Sequence, residues 1–214
     1  MVVLNRKDRD RLLRKADILK AAEHVFALKG YDKATIQDIA KKAQYATGTV
    51  YLYFRDKGDL YCSLLEEKMK DLLSGIKEKT SLVKDTKAKL EIFLEEELGF
   101  FKLNQDFFKI FVSENNGLRF AIGFRISRSL VFREYSECVS NLVKKAQQKG
   151  LIRRDLYPDQ IIDIFRSIFT SVILGWLRKE LREPKDAKEM SRFVLDIFLN
   201  GIGCKKGLIT DCCI

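Results

Sequence analysis

Only two prolines, Pro158 and Pro184, interrupt a chain of 214 residues, and its twelve glycines follow no repeat. A sandwich or barrel built from many short strands needs turn residues at close, regular intervals. This chain lacks that punctuation, so its segments run long, and long uninterrupted segments favour helix. Hydrophobic residues make up 46%, enough to bury a real core, and the length suits one large domain or two small ones. The expected fold class is all-α.

Apolar spacing locates the helices. Ile18, Ala21, Ala22, Val25 and Phe26 recur on one face of a helix expected from Arg6 to Lys29, which Gly30 closes. Thr35 precedes a second apolar-periodic run, Ile36, Ile39, Ala40 and Ala43, with Asp38 placed to complete a capping box. After a break at Gln44-Tyr45-Ala46, a third helix of about two turns fits Thr47 to Phe54. Asp56 can cap a fourth, from about Lys57 to Lys79. Helices as short as the second and third are marginal alone. Two of them after a longer one, joined by a brief turn, make the arithmetic of a helix-turn-helix. Further helices are expected over Lys84 to Leu103, Asp106 to Ser113, Arg119 to Lys149, Pro158 to Leu181 and Ala187 to Asn200. Gly150 ends one of these and Pro158 suits the first turn of the next.

Charge narrows the function. Lys and Arg number 40 against 30 Asp and Glu, a formal net charge of +10. Half of that surplus lies in residues 1–60, where Arg6, Lys7, Arg9, Arg11, Arg14, Lys15 and Lys20 cluster. An acidic partner is implied, nucleic acid or an anionic membrane surface, although a basic surface also simply keeps a protein soluble. The longest uncharged stretches, Ala43 to Phe54 and Ser167 to Leu177, fall well short of the roughly 18 apolar residues of a membrane helix. No signal-peptide core precedes Arg6 and Lys7. Five cysteines at irregular spacing point to a reducing compartment, and the cytoplasm is expected.

The order Ile18-Leu19-Lys20-Ala21-Ala22, Phe26, Lys29-Gly30-Tyr31, Ala34-Thr35-Ile36, Asp38-Ile39-Ala40 and Ala43 resembles TetR-type regulators. Gly48-Thr49-Val50-Tyr51-Leu52-Tyr53-Phe54, Lys57 and Leu60 complete the pattern, over roughly residues 15–65. The resemblance implies a dimeric DNA-binding regulator, usually a repressor, released from its operator by a small ligand. It implies phosphate contacts for Thr35, Tyr53 and Lys57, and major-groove contacts for Tyr45, Thr47, Gly48, Thr49 and Tyr51. The residues suit those roles: a groove-reading helix must be slim and carry hydrogen-bonding tips or methyls for base edges. Gly48 admits close approach, and the hydroxyls of Thr47, Thr49, Tyr51 and Tyr53 can meet bases or phosphates. Lys57 stands at a helix start that already favours an anion. Where the family often has glycine after Ala43, this chain has Gln44. Ala46 replaces a serine-like cap, and Gly58 a better helix former. The resulting division is a helix-turn-helix DNA-binding domain at 1–56 and a helical ligand-binding and dimerisation domain at 57–214.

The second domain holds most of the phenylalanines. Phe93, Phe107, Phe111, Phe124, Phe132, Phe165 and Phe169 are candidates for the lining of an apolar ligand cavity between helices. Ordinary core packing is the competing reading for each. Arg119, Arg125 and Arg128 can supply charge for an acidic head group or form a solvated face. Ile161 to Leu177 is apolar almost all round, so a second buried face is implied. Ile161, Phe165, Ile168, Val172 and Trp176, with Phe193 and Ile197 from the last helix, are the candidate homodimer interface. The expected partners are therefore duplex DNA, a second copy and a small apolar or amphipathic effector. A ligand-induced tilt of the fourth helix would change the spacing of the two recognition helices.

Two other classes remain open at this level. A ligand-blind DNA-binding or architectural protein would share the motif without the cavity. A helical enzyme is the other, but the single His24 falls on a polar helix face, and no HExxH, P-loop or dinucleotide-binding turn is present. Gly201-Ile202-Gly203 alone is too weak a signal. No cofactor and no metal is expected. Cys62, Cys138 and Cys204 read as small hydrophobes, and Cys212-Cys213 as a tail, since a prenyl motif would need cysteine where Asp211 stands.

Overall fold

The computed structural model describes residues 5–105, 125, 128–177 and 187–202. They form helices α1 (Arg6–Lys33), α2 (Ile36–Ala43), α3 (Thr47–Tyr51), α4 (Lys57–Ser81), α5 (Thr86–Leu103), α6 (Leu130–Gln148), α7 (Pro158–Leu177) and α8 (Ala187–Ile202). No strand occurs among the described residues, so the fold class is all-α with an N-terminal helix-turn-helix and a larger helical remainder. The helix expected over Asp106 to Ser113 lies outside the described residues. Two boundaries differ from expectation. The third helix stops at Tyr51, followed by a turn through Leu52 and Tyr53. The run expected from Arg119 is broken at Arg128-Ser129, and α6 begins only at Leu130.

The chain divides into two compact units, one of residues 1–70 with 104–132 and one of 71–103 with 133–214. The division falls inside α4 rather than ahead of it, because Leu60, Tyr61, Leu64 and Leu65 are buried. Tyr61 meets Phe26 edge-on, with ring centroids 5.6 Å apart, and Tyr31 at 5.5 Å. Around that aromatic trio the first unit buries Ile18, Leu19 and Ala22 of α1, Ile39 and Ala40 of α2, and Val50 and Phe54 from α3 and its following turn. At Gly30 the backbone takes φ 73° and ψ 166°, which interrupts α1 one short turn before its end. Glycine holds that conformation without a Cβ clash.

In the second unit α5 supplies Leu90, Phe93, Leu94, Leu98 and Phe101 to the core, and α8 supplies Val194, Leu195 and Phe198. Phe165 of α7 joins them, 5.3 Å edge-to-face from Phe198 and 6.0 Å from Phe93. Offset and edge-on arrangements of this kind suit the charge distribution of aromatic rings. Gly150, with φ 71°, ends α6, and the Leu151 N–H returns to the Ala146 carbonyl at 2.9 Å. Pro158 occupies the first position of α7, where its missing N–H leaves no intrahelical bond unmade.

Candidate functional site

The helix-turn-helix is held by local chemistry before any packing. Thr35 caps α2: its hydroxyl accepts from the Asp38 N–H at 3.1 Å, while the Asp38 carboxylate accepts from the Thr35 N–H at 3.1 Å. Lys29 donates to the same carboxylate at 2.7 Å, and these bonds pull the Asp38 carboxyl down to about 2. The turn pivots on Gln44, left-handed at φ 59° and ψ 36°. A residue with a Cβ pays for that geometry, by about 1–2 kcal/mol. Ala46 begins α3 with no side-chain cap, so this five-residue helix depends on Val50 and Phe54, both buried.

What α3 turns outward is small and polar. Gly48 is exposed, Thr47 and Thr49 are half-buried, and a Cβ at Gly48 would meet nothing within 4 Å. Tyr51 is 52% exposed and Leu52 77%. No hydrogen bond within the described residues engages the hydroxyls of Thr47, Thr49, Tyr51 or Tyr53. Beside the end of this helix, Leu52 and Tyr53 share a surface cleft with Arg6, Lys7, Arg11 and Arg14 of α1. The basic segment that composition singled out is thus brought against the carboxyl-terminal end of α3. Leu52, not among the expected contact residues, is exposed as well.

Three expected contact residues have other partners. The Thr35 hydroxyl donates to Asp38 at 2.8 Å as well as accepting from it, so it holds no free proton for a phosphate. The Tyr45 hydroxyl donates to Asp17 on α1 at 3.0 Å, anchoring the turn. The correction is largest at Lys57. Its ammonium donates to the carbonyls of Tyr31 at 2.6 Å, Asp32 at 3.2 Å and Ala34 at 2.9 Å, and lies 4.4 Å from the Tyr31 ring centre. Those carbonyls end α1, where the helix leaves acceptors unpaired. Lys57 therefore closes α1, and burial pushes its pKa down.

A further ion pair joins this corner. Both terminal guanidinium nitrogens of Arg125, Nη1 and Nη2, donate to the Asp56 carboxylate, at 2.8 and 2.9 Å, and hold that carboxyl at about 2. Arg125 is exposed, on a solvated face, with its charge paired to Asp56. At Gly58 a Cβ would stand 2.9 Å from the Arg125 Nη1 and 3.1 Å from the Asp56 Oδ1, so a side chain there would displace the end of the Arg125 side chain. With the partners 69 positions apart in sequence, no local pattern could announce the pair. Arg119 lies outside the described residues.

The second unit carries a cleft of about 500 Å³ between α5, α6 and α7. Phe165 and Phe169 line it. Phe93 is buried core beside them, and Phe132 is half-buried and does not line the cleft. Phe107, Phe111 and Phe124 lie outside the described residues. On the candidate interface, Phe193 is 54% exposed and Ile197 43%, while Ile168 and Val172 are half-buried. Ile161 is fully buried within its own chain, and Phe165 is turned to Phe93 and Phe198, so neither belongs to an open face. Ile164, outside the candidate set, is 37% exposed. The Trp176 side chain lies outside what is described. His24 is exposed, Cys62 is buried and Cys138 half-buried, and Cys204, Cys212 and Cys213 lie outside the described residues. No helix among the described residues is long and apolar enough to cross a membrane.

Comparison with known proteins agrees with this geometry. Residues 18–64 match the family described as bacterial regulatory proteins, tetR family. The fatty acid metabolism regulator protein of Bacillus subtilis is 25% identical over 185 residues, covering 86% of this chain and 93% of that protein. Among solved structures, the fatty acid degradation regulator FadR from Bacillus halodurans is 25% identical with a TM-score of 0.73, covering 87% of this chain and 98% of that one. FadR from Bacillus subtilis, solved in complex with stearoyl-CoA, shares the fold at 24% identity, with the same TM-score and the same coverage. These relatives are regulators, not enzymes.

Proposed function

The chain belongs to the TetR family of transcription regulators, and we propose that it is a homodimeric, ligand-responsive repressor acting on a near-palindromic operator. In this reading residues 1–56 bind DNA, and residues 57–214 bind effector and dimerise. The observation that carries it is the outward face of α3, where the hydroxyls of Thr47, Thr49 and Tyr51 have no hydrogen-bond partner among the described residues, Gly48 is exposed, and the stretch is without charge. Arg6, Lys7, Arg11 and Arg14, with the Tyr53 hydroxyl, meet phosphates and orient the module; the neutral α3 side chains read base edges. Thr35, Tyr45 and Lys57 serve this interface by holding α2, the turn and the end of α1 in place.

The exposed Ile164, Phe193 and Ile197 form the apolar face against a second copy. Two-fold symmetry then sets two α3 helices about 34–36 Å apart, one turn of DNA. The effector is small and largely apolar; the stearoyl-CoA bound to the Bacillus subtilis relative supports a long apolar part. Helix α4 runs without a break from one unit into the other, so a shift of its last turns is felt at Asp56 and Lys57. A regulator of this kind works on DNA in the cytoplasm.

The test is selection of tight binders from a pool of random duplexes, followed by titration against salt. A near-palindromic consensus is expected. Replacing Arg6, Lys7 and Arg11 together by alanine should lower affinity for specific and random duplex alike, and flatten the salt dependence by up to about three counterions. An unchanged salt slope would remove the start of α1 from the interface.

A further inference from the structure

The cleft between α5, α6 and α7 contains a carboxyl that core packing does not explain. Glu97 is 6% exposed, on the α5 face that buries Phe93, Leu94, Leu98 and Phe101, and its side chain lines the cleft. No hydrogen bond or ion pair reaches it among the described residues. An apolar residue at this position would bury the same surface without the cost of an unpaired polar group. The charged groups facing it from the neighbouring helices are Glu137 of α6 and Asp159, Asp163 and Arg166 of α7. Arg166 already stands 3.6 Å from Asp163, so the rim is acidic on balance. The remaining wall is aromatic, from Tyr135, Phe165 and Phe169.

We propose that this cleft binds an apolar ligand bearing a protonated amine, whose N–H groups donate to the Glu97 carboxylate while its hydrocarbon lies against Phe165 and Phe169. The proposal rests on the reading of residues 57–214 as the effector-binding region and specifies the chemistry of the effector. An ammonium satisfies the buried acceptor, is attracted by the acidic rim and is favoured beside aromatic faces. An anionic head group would meet Glu137, Asp159 and Asp163 instead.

Proton linkage supplies a signature. Burial pushes the Glu97 carboxyl up to about 8, with Arg166 pulling the other way. In the free protein at pH 7 the group is therefore mostly the neutral acid, and an arriving ammonium must displace its proton. Amine affinity accordingly rises as pH climbs toward 8 and levels above it. A neutral ligand accepting a hydrogen bond from the protonated acid would show the opposite trend.

The experiment is calorimetry on the full chain with decylamine, decanol and decanoate, each below its micellar concentration, at pH 7 in buffers of different ionisation heat. Decylamine is expected to bind at least tenfold tighter than the other two, with release of close to one proton. Glu97→Gln should lose at least tenfold in amine affinity, together with the proton release, and bind decanol as before; the decanol arm reports that the variant is folded. Decanol or decanoate binding as tightly as the amine overturns the proposal, as does amine binding by the native chain without proton release. Titrating the same ligands against the protein–operator complex separates the two readings. Release by decanol or decanoate alone sinks the amine proposal and leaves the effector reading standing. Amine binding as described with no change in operator affinity retains the cleft assignment and ends the effector reading.

Discussion

Gly48 is exposed on α3, and no atom among the described residues, its own helix backbone and chain neighbours aside, lies within 4 Å of where its Cβ would stand, so nothing there requires a glycine. Its cost to the helix, about 0.5–1 kcal/mol relative to alanine, is offset only if something outside the chain needs the space. Gly48→Ala should therefore raise the melting temperature while lowering operator affinity at least tenfold. Thermal unfolding and fluorescence anisotropy on the same preparation check both; a stabilised variant with native affinity would take Gly48 off the DNA surface. Gln44 and Gly58 show the opposite logic. Gln44 holds the left-handed turn despite its Cβ, and a Cβ at Gly58 would crowd the end of the Arg125 side chain. In sequence both were departures from a family pattern, and neither setting was visible there. Backbone sign and close approach belong to three dimensions.

At the level of elements, α2 was the easiest to read, because Thr35, Asp38 and the apolar stripe are local signals that act within a turn. The end of α3 was read three residues too long, since Leu52 continues the apolar run but is solvent-facing in a turn. Lys57 teaches most. A lysine at the start of α4 suits phosphate binding by every local rule, yet its ammonium is taken by three carbonyls that end α1. Lys57→Met keeps the stem and removes the donor. It should destabilise the chain by about 2 kcal/mol, as expected for hydrogen bonds from a charged group, and leave the salt slope of binding to random DNA unchanged. A native melting temperature with a slope reduced by about one would return Lys57 to the phosphates.

For the whole molecule, the exposed apolar face of α7 and α8 sets the expected assembly. Phe193 and Ile197, four residues apart on α8, are exposed, as is Ile164 on α7, and the proposed isologous contact would bury the same set twice. Phe193→Asp with Ile197→Asp should yield a monomer by sedimentation, with the helical signal retained. Its operator affinity should fall at least a hundredfold, because the two half-sites are no longer tethered. A double variant that remains dimeric would place the interface elsewhere. The apolar richness of Ile161 to Leu177 already implied a second buried face. Which residues formed it was not legible, because helical spacing tells which side chains share a side and not which neighbour covers it. Of the candidate interface residues, Ile161 is buried within its own chain and Phe165 packs against Phe93 and Phe198.

By itself the sequence determined the helical class, the helix-turn-helix at its start, and the separation of a basic reader from an aromatic remainder. Those follow from period, capping and charge, which act between residues a few positions apart. Only the tertiary structure decided which hydroxyls are left without a hydrogen bond among the described residues, that Arg125 clamps Asp56, and that Glu97 is buried with no hydrogen bond or ion pair among those residues. Each of these turns on which residues distant in sequence meet or fail to meet. Hydrogen bonds and burial are properties of proximity, and proximity across tens of residues is settled by packing.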